Sequence, residues 1–165
     1  MRVFGIDCGT ECTGYGVVES GPRAELVCVE FNAIRLSPRQ PMAVRLAAIY
    51  ARLSSALAEH RPDQVAIEDV FYSANVKSAL KLGQVRGVAM LAAANAGLQV
   101  WEYAPLSIKS AVVGYGRAEK SQVQQMVTTL LRLSEPPTPL DAADALAIAI
   151  CHLHTAMTRD RQACR

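Results

Sequence analysis

The first third of the chain alternates short apolar runs with turn residues, a pattern that predicts β-strands. Residues 2–7, 13–18 and 25–31 are rich in β-branched and aromatic side chains, and residues that favour turns separate them. Because the connections are short, we expect these three strands to form an antiparallel meander.

The pattern then changes to helices interrupted by two more strands. Apolar residues recur at helical spacing between Leu46 and His60, which predicts the first helix. Val65–Val70 and Gln99–Tyr103 predict the fourth and fifth strands, with a second helix over about Val76–Ala96 between them. Three further helices are predicted: a short one after Pro105, one over about Glu119–Leu131 and one from Asp141 to about Ala156.

This order of elements predicts the fold class. A strand, a helix and a second strand in succession imply a right-handed crossover, and therefore a parallel portion of the sheet. We expect an α/β fold with a mixed five-stranded sheet, three antiparallel strands plus two parallel ones, flanked by helices. The order resembles that of ribonuclease H-like domains. We expect one such domain over residues 1–157 and a basic, flexible tail over residues 158–165.

Composition narrows the setting. A chain of 165 residues with 51% hydrophobic side chains supports one buried core. Because no run of about 18 apolar residues occurs, we expect a soluble protein that is neither exported nor bound to a membrane. The five cysteines show no paired spacing, which favours a reduced, cytoplasmic setting. The net charge of +2 alone says little about nucleic acid.

Two acidic residues interrupt apolar strands. Asp7 ends the first apolar run, and Glu68 follows Val65–Ile67 in the same way. A charge in a buried strand needs compensation, and two neighbouring acids would repel each other if the two strands are parallel partners. A divalent cation resolves both problems, since magnesium and manganese prefer oxygen ligands. The alternative is a structural role for either acid at a strand-to-turn junction.

Two further acids open the last predicted helix. Asp141 and Asp144 lie three residues apart, so both face one side of its first turn. Ordinary capping, or interaction with the helix dipole, is the alternative for each of them. Taken together, the four carboxylates indicate a phosphodiesterase site with two metal ions, which would leave 5'-phosphate and 3'-hydroxyl ends.

The sequence around these acids resembles the RuvC family of Holliday junction resolvases nearly end to end. The resemblance rests on five segments in order: Gly5–Gly9 with Thr13–Gly16, Ala66–Phe71 with Asn75, Ser78–Ala89, Val112–Gly114 with Ala118–Val123, and Asp141–Ala147.

The resemblance implies a function and a site. Asp7, Glu68, Asp141 and Asp144 would be the catalytic metal ligands for two Mg²⁺ ions, with Mn²⁺ able to substitute. The protein would be a homodimer that nicks two opposed strands of four-way junction DNA in recombination and repair, in association with a branch-migration helicase complex. A stripe formed by Ala79, Gly83 and Gly87 fits such a dimer, although packing within the chain explains it equally well.

The chain departs from the family pattern in the turn after Asp7. Cys8 stands where the family usually has proline, and Glu11 and Cys12 are also less typical. A cysteine there would loosen the turn or permit oxidative damage near the site.

Candidate DNA contacts are basic and aromatic. By resemblance, Lys109 and Lys120 would bind phosphate, and Lys120 would also stabilise developing charge. The further basic candidates are Arg117, Lys77 and Lys81, for which solvation is the alternative. Phe71 is either a core aromatic residue or a residue that stacks on an unpaired base, with Tyr72 as a second candidate.

Two other functions compete with this interpretation. The segment Asp7–Thr10 resembles the first phosphate-binding motif of the actin, hexokinase and heat-shock ATPases, but those proteins need two such domains and this chain has the length of one. An inert, DNA-binding descendant of the nuclease is the other rival, and the presence of all four acids argues against it.

Overall fold

The computed structural model describes residues 1–69 and 76–163, and within them one five-stranded sheet and five helices. In chain order the elements are β1 (Arg2–Asp7), β2 (Cys12–Ser20), β3 (Leu26–Arg35), α1 (Met42–His60), β4 (Gln64–Glu68), α2 (Val76–Asn95), β5 (Val100–Tyr103), α3 (Pro105–Val113), α4 (Lys120–Leu130) and α5 (Leu140–Ala163). None of the helices in the described ranges combines the length and the hydropathy needed to span a membrane.

The sheet has the strand order β3-β2-β1-β4-β5. β1 pairs antiparallel with β2, which pairs antiparallel with β3, whereas β1 and β4 are parallel, as are β4 and β5. The predicted mixed sheet is therefore confirmed. Because Ile6 lies opposite Ile67, the residues that follow them, Asp7 and Glu68, reach the same edge of the sheet.

Helices cover both faces of this sheet. Phe4, Ile6 and Ile67 point to the face covered by α1 and α2, whereas Val3 and Ala66 point to the face covered by α3, α4 and α5. Side chains alternate between the faces along a strand, so Asp7 and Glu68 share the second face with α5.

Glycines in the central strands allow α5 to lie directly on the sheet. A Cβ atom on Gly14 would stand 2.0 Å from the backbone oxygen of Asp141, and one on Gly5 would stand 2.1 Å from that of Ala145. No side chain fits at such distances. The start of α5 is thereby brought against β2, beside the end of β1.

Two helices are longer than the apolar pattern predicts. α1 begins at Met42 rather than near Leu46, because the buried position in its first turn holds a charged residue, Arg45. α5 continues to Ala163, beyond the expected end near Ala156 and into the segment for which we expected a tail. The Arg159 guanidinium lies 4.9 Å from the centre of the Trp101 ring and ties this extension to the sheet.

A buried histidine lies behind the sheet edge. His152 on α5 is 2% exposed; its Nδ1 lies 2.8 Å from the Tyr103 hydroxyl and its Nε2 lies 2.6 Å from Gln64 Oε1. Burial lowers the pKa of His152 to about 4. The neutral ring suits these partners, since it accepts from the hydroxyl and donates to the amide oxygen. This environment gives His152 a structural role in packing α5 against β4 and β5.

Candidate active site

Three of the four predicted acids line one cavity at the edge of the sheet. Asp7 at the end of β1, Glu68 at the end of β4 and Asp144 in the first turns of α5 contribute to a cavity of about 300 Å³. Lys109 from α3 and Lys120 from α4 complete its polar lining. The floor is apolar and comes mainly from α3, α4 and α5. The cavity therefore places three carboxylates and two ammonium groups together.

Asp141 lies one turn before Asp144 and is not among the residues that line this cavity. It contacts the first residue of β2 instead: burial, and then a hydrogen bond to Asp141, raises the pKa of the Cys12 thiol to about 11. Asp141 is nevertheless close enough to Asp7 to raise the pKa of that carboxyl. The i, i+3 spacing brings both acids to the site but gives them different surroundings.

The carboxylates strongly perturb one another. Burial, followed by the charges of Asp144, Glu68 and Asp141, raises the pKa of Asp7 to about 7, and Lys120 opposes the shift. Burial and Asp144 also raise the pKa of Glu68. The repulsion between these carboxylates would be relieved by added positive charge, such as that of a divalent cation.

Lys120 supplies part of that charge. It is the first residue of α4, whose start is fixed by a capping box between Glu119 and Gln122. Its Nζ lies 2.7 Å from Asp144 Oδ2, and this hydrogen bond is the main cause that raises the pKa of Lys120.

The donor set fits a divalent cation by its chemistry but is not preassembled as a cage. Carboxylate oxygens are the ligands that magnesium and manganese favour. Across residues 1–69 and 76–163, however, no three Asp, Glu, His or Cys side chains converge closely enough to hold an ion together. Binding of a divalent cation would thus require the carboxylate side chains to turn toward a common point.

Comparison with known proteins identifies the family. The family model for "Crossover junction endodeoxyribonuclease RuvC" matches residues 3–152. The chain belongs to the RuvC family of crossover junction endodeoxyribonucleases. Its resemblance to that family is thereby confirmed, and the chain is a nuclease.

Relatives of known name and structure agree with this assignment. The RuvC of Koribacter versatilis (strain Ellin345) is 63% identical over 161 residues, covering 98% of this chain and 97% of the relative. The Thermus thermophilus RuvC structure has a TM-score of 0.87 at 37% identity, covering 96% of this chain and 97% of that one. The T. thermophilus RuvC in complex with a Holliday junction substrate has a TM-score of 0.88 at 34% identity, with 96% of each chain covered.

The other predicted DNA contacts of this RuvC-family chain are more dispersed. Arg117 is exposed in the loop before α4, and Lys77 and Lys81 are exposed on α2. Their contact with DNA stays a prediction. Phe71 and Tyr72 lie outside the described residues.

The glycine stripe on α2 is open toward the described part of the chain. A Cβ atom added to Gly83 or Gly87 would meet nothing within 4 Å among residues 1–69 and 76–163, and both positions are exposed. Packing against these residues therefore does not explain the stripe.

Cys8 packs at the rim of the core beneath α1 and α2. Burial, together with the nearby Asp7 carboxylate, raises the pKa of its thiol. A protonated thiol is a poor nucleophile, so this environment works against the oxidation sensitivity expected from the sequence.

Two arginines next to the site were missed by sequence analysis. Arg45, only 7% exposed, donates from Nη1 to the backbone oxygen of Thr10 at 2.9 Å, in the turn that follows Asp7. Arg86 reaches the end of β4 from α2. A signal for Arg45 was available, since it continues the i, i+4 spacing of Ile49 and Leu53.

Proposed function

We propose that this RuvC-family chain resolves four-way (Holliday) junctions by paired, metal-dependent hydrolytic nicks that leave 5'-phosphate and 3'-hydroxyl ends. The observation that carries the proposal is the cavity that gathers Asp7, Glu68, Asp144, Lys109 and Lys120 at the edge of the sheet. The similarity to T. thermophilus RuvC in complex with a Holliday junction substrate supports the choice of DNA. We place the reaction in the cytoplasm, in recombination and repair, next to a branch-migration helicase complex.

The proposed metal ligands are Asp7, Glu68, Asp141 and Asp144, for two Mg²⁺ ions that Mn²⁺ can replace. When bound, the ions polarise the phosphate, activate water and stabilise the leaving 3'-oxygen. Because its pKa is raised to about 7, the metal-free Asp7 carboxyl is partly protonated near neutral pH. It therefore has to release that proton before it can act as a ligand.

Lys120 changes partners in this proposal. Its ammonium group now pairs with Asp144 at 2.7 Å. With Asp144 serving as a metal ligand, Lys120 would be free to contact the scissile phosphate together with Lys109, which lines the same cavity. An ammonium group held there also stabilises the charge that develops during attack.

A homodimer would supply the second nick. Val76, Leu80, Gly83, Gly87 and Leu91 follow one another at helical spacing on α2, and all are exposed. An apolar stripe of this kind suits a helix–helix contact with a second copy. Light scattering should report a mass near twice 17.8 kDa, and Leu80→Lys should shift it to the monomer. A monomeric wild type on junction DNA would end the idea of paired cleavage.

The decisive experiment compares substrates side by side. Four-way junctions, linear duplexes and RNA–DNA hybrids of equal length are incubated with the protein in Mg²⁺, in Mn²⁺ and in EDTA. We expect symmetric nicks in the junction alone, only with metal, and ligatable without further treatment because the ends are 5'-phosphate and 3'-hydroxyl. Equal cutting of hybrids would point to the wider ribonuclease H-like class instead, and undiminished cutting in EDTA would end the metal mechanism.

A further inference from the structure

Arg86 connects α2 to the ends of two strands. Its side chain is 18% exposed, and its Nε donates to the backbone oxygen of Glu68 at 3.3 Å. The guanidinium also forms ion pairs with Asp69, at 3.2 Å, and with Glu102 on β5. One planar group thus joins α2, the end of β4 and β5.

The backbone oxygen of Glu68 lies beyond the last residue pair of β1 and β4, although Glu68 still pairs with Tyr103 of β5. The register between β1 and β4 ends with Ile6 opposite Ile67, one residue before Glu68. On the other side, the backbone N–H of Asp69, which belongs to the same peptide group as the Glu68 oxygen, donates to the oxygen of Tyr103 at 2.8 Å and holds this peptide against β5. This carbonyl is partly shielded from water and accepts a hydrogen bond from Arg86. The peptide that follows Glu68 is therefore held from both sides.

Arg86 acts on the main chain rather than on the carboxylate. The Glu68 side chain points into the cavity on the α5 face, where burial and Asp144 raise its pKa against the opposing effect of Lys120 and Lys109. Arg86 comes from α2, on the opposite face of the sheet. Arg86 does not itself line the cavity; it meets this lining at the main chain of Glu68.

We propose that Arg86 is a positioning residue for Glu68: by fixing the last peptide of β4 it sets the direction of the Glu68 carboxylate, and so the affinity of the site for divalent metal. The inference rests on the proposed metal-dependent function. Groups that orient ligands in this indirect way typically change metal affinity or activity by about 10- to 100-fold when they are removed.

The test measures metal binding without DNA and without catalysis. Mn²⁺ is titrated into the DNA-free protein and the free ion is followed by electron paramagnetic resonance. For Arg86→Gln we expect Mn²⁺ binding to weaken about 10- to 100-fold, while junction binding in EDTA stays within about twofold of wild type. Arg86→Lys keeps the charge but not the planar guanidinium group, so its Mn²⁺ affinity should lie between those of wild type and Arg86→Gln.

The matched control is Glu102→Gln. It removes an ion-pair partner of Arg86 but leaves the hydrogen bond to the Glu68 oxygen intact, so its Mn²⁺ affinity should stay within about threefold of wild type. If Glu102→Gln weakens binding as much as Arg86→Gln, the ion pair and not the backbone contact sets the site, and the inference is overturned.

Other results separate the inference from the proposed function. Unchanged Mn²⁺ binding in Arg86→Gln, or loss of junction binding in EDTA, overturns the role of Arg86 alone. If Arg86→Gln does not fold, Arg86→Lys decides: wild-type Mn²⁺ affinity overturns the inference and weaker binding supports it. A wild type that binds no Mn²⁺ and cuts in EDTA overturns the proposed function and this inference with it.

Discussion

Adding one methyl group at Gly14 tests whether the close approach of α5 to β2 sets the site. In Gly14→Ala the new Cβ would stand 2.0 Å from the Asp141 backbone oxygen, whereas real Cβ contacts are essentially never shorter than 3.0 Å. The difference, 3.0 minus 2.0, means that the start of α5 or the strand beneath it must move by at least about 1 Å. Neither atom is on a flexible side chain, so rotation cannot relieve the clash.

That displacement is large for a catalytic site. Functional groups need to be held within about 0.5 Å of their working geometry, and a misplacement of about 1 Å costs on the order of 100-fold in rate. A 100-fold loss corresponds to about 2.7 kcal/mol of transition-state stabilisation. Overpacking also destabilises the fold by about 1–3 kcal/mol, which for a chain of this size lowers the unfolding temperature by about 2–12 °C.

The assay is single-turnover cleavage of a four-way junction at saturating protein and Mn²⁺, with thermal unfolding measured on the same samples. Gly21→Ala is the matched control, since its Cβ would meet the Glu25 carboxylate, at the end of a side chain that can rotate away. We expect Gly14→Ala to cut about 100-fold more slowly than Gly21→Ala. Equal rates and equal unfolding temperatures would refute the idea that the contact between α5 and β2 sets the site.

Three further predictions use the charged groups. Asp7→Asn removes a carboxyl whose pKa is raised to about 7, so its ionisation destabilises the folded state as the pH rises from about 4 to 7. At pH 8 the metal-free variant should therefore unfold at a higher temperature than wild type, yet neither bind Mn²⁺ nor cut junctions. An active variant would remove Asp7 from the site. His152 has a pKa lowered to about 4, so its neutral form stabilises the fold above about pH 6.5 and this contribution is lost as the pH falls toward 4. The difference in unfolding free energy between wild type and His152→Gln, followed by urea denaturation, should shrink by about 3 kcal/mol over that interval, and a pH-independent difference would mean that the ring titrates normally. Lys120→Met should slow cleavage by about 100-fold at saturating Mn²⁺. It should not weaken Mn²⁺ binding, because the ammonium group that competes with the ion for Asp144 is gone. Weaker Mn²⁺ binding would contradict the proposal that Lys120 leaves Asp144 when metal binds.

The strand-borne half of the site was predictable because strands obey short-range rules. Alternation along a strand gives the face of Asp7 and Glu68 from the order of apolar and polar residues alone. That the two acids reach one edge depended on β1 and β4 being parallel partners, which the sequence analysis left as a condition and the structure shows.

The helix-borne half depends on distances that no local pattern encodes. Spacing places Asp141 and Asp144 on one side of α5, but the depth at which α5 lies on the sheet is set by Gly14 and Gly5, far away in the chain. The different surroundings of the two acids follow from that docking. Asp144 lines the cavity and pairs with Lys120, whereas Asp141 meets Cys12.

The arginines escaped prediction for a related reason. Arg86 lies on α2, and its partners on β4 and β5 become its neighbours only after the crossover is folded. Arg45 occupies a core position of α1, but sequence patterns assign charged residues to the surface. Buried arginines are placed by what they bond to, and those bonds are long-range.

The proposed metal site combines the first strand of the chain with the last of the described helices, so it can be completed only late in synthesis. Asp7 belongs to the first strand and Asp144 to the last helix of the fold. A growing chain therefore displays Asp7 and Glu68 on the ribosome well before the helix that completes the proposed metal site has been synthesised. A chain that stops before α5 lacks Asp141 and Asp144, so it cannot assemble the four carboxylates proposed to bind metal.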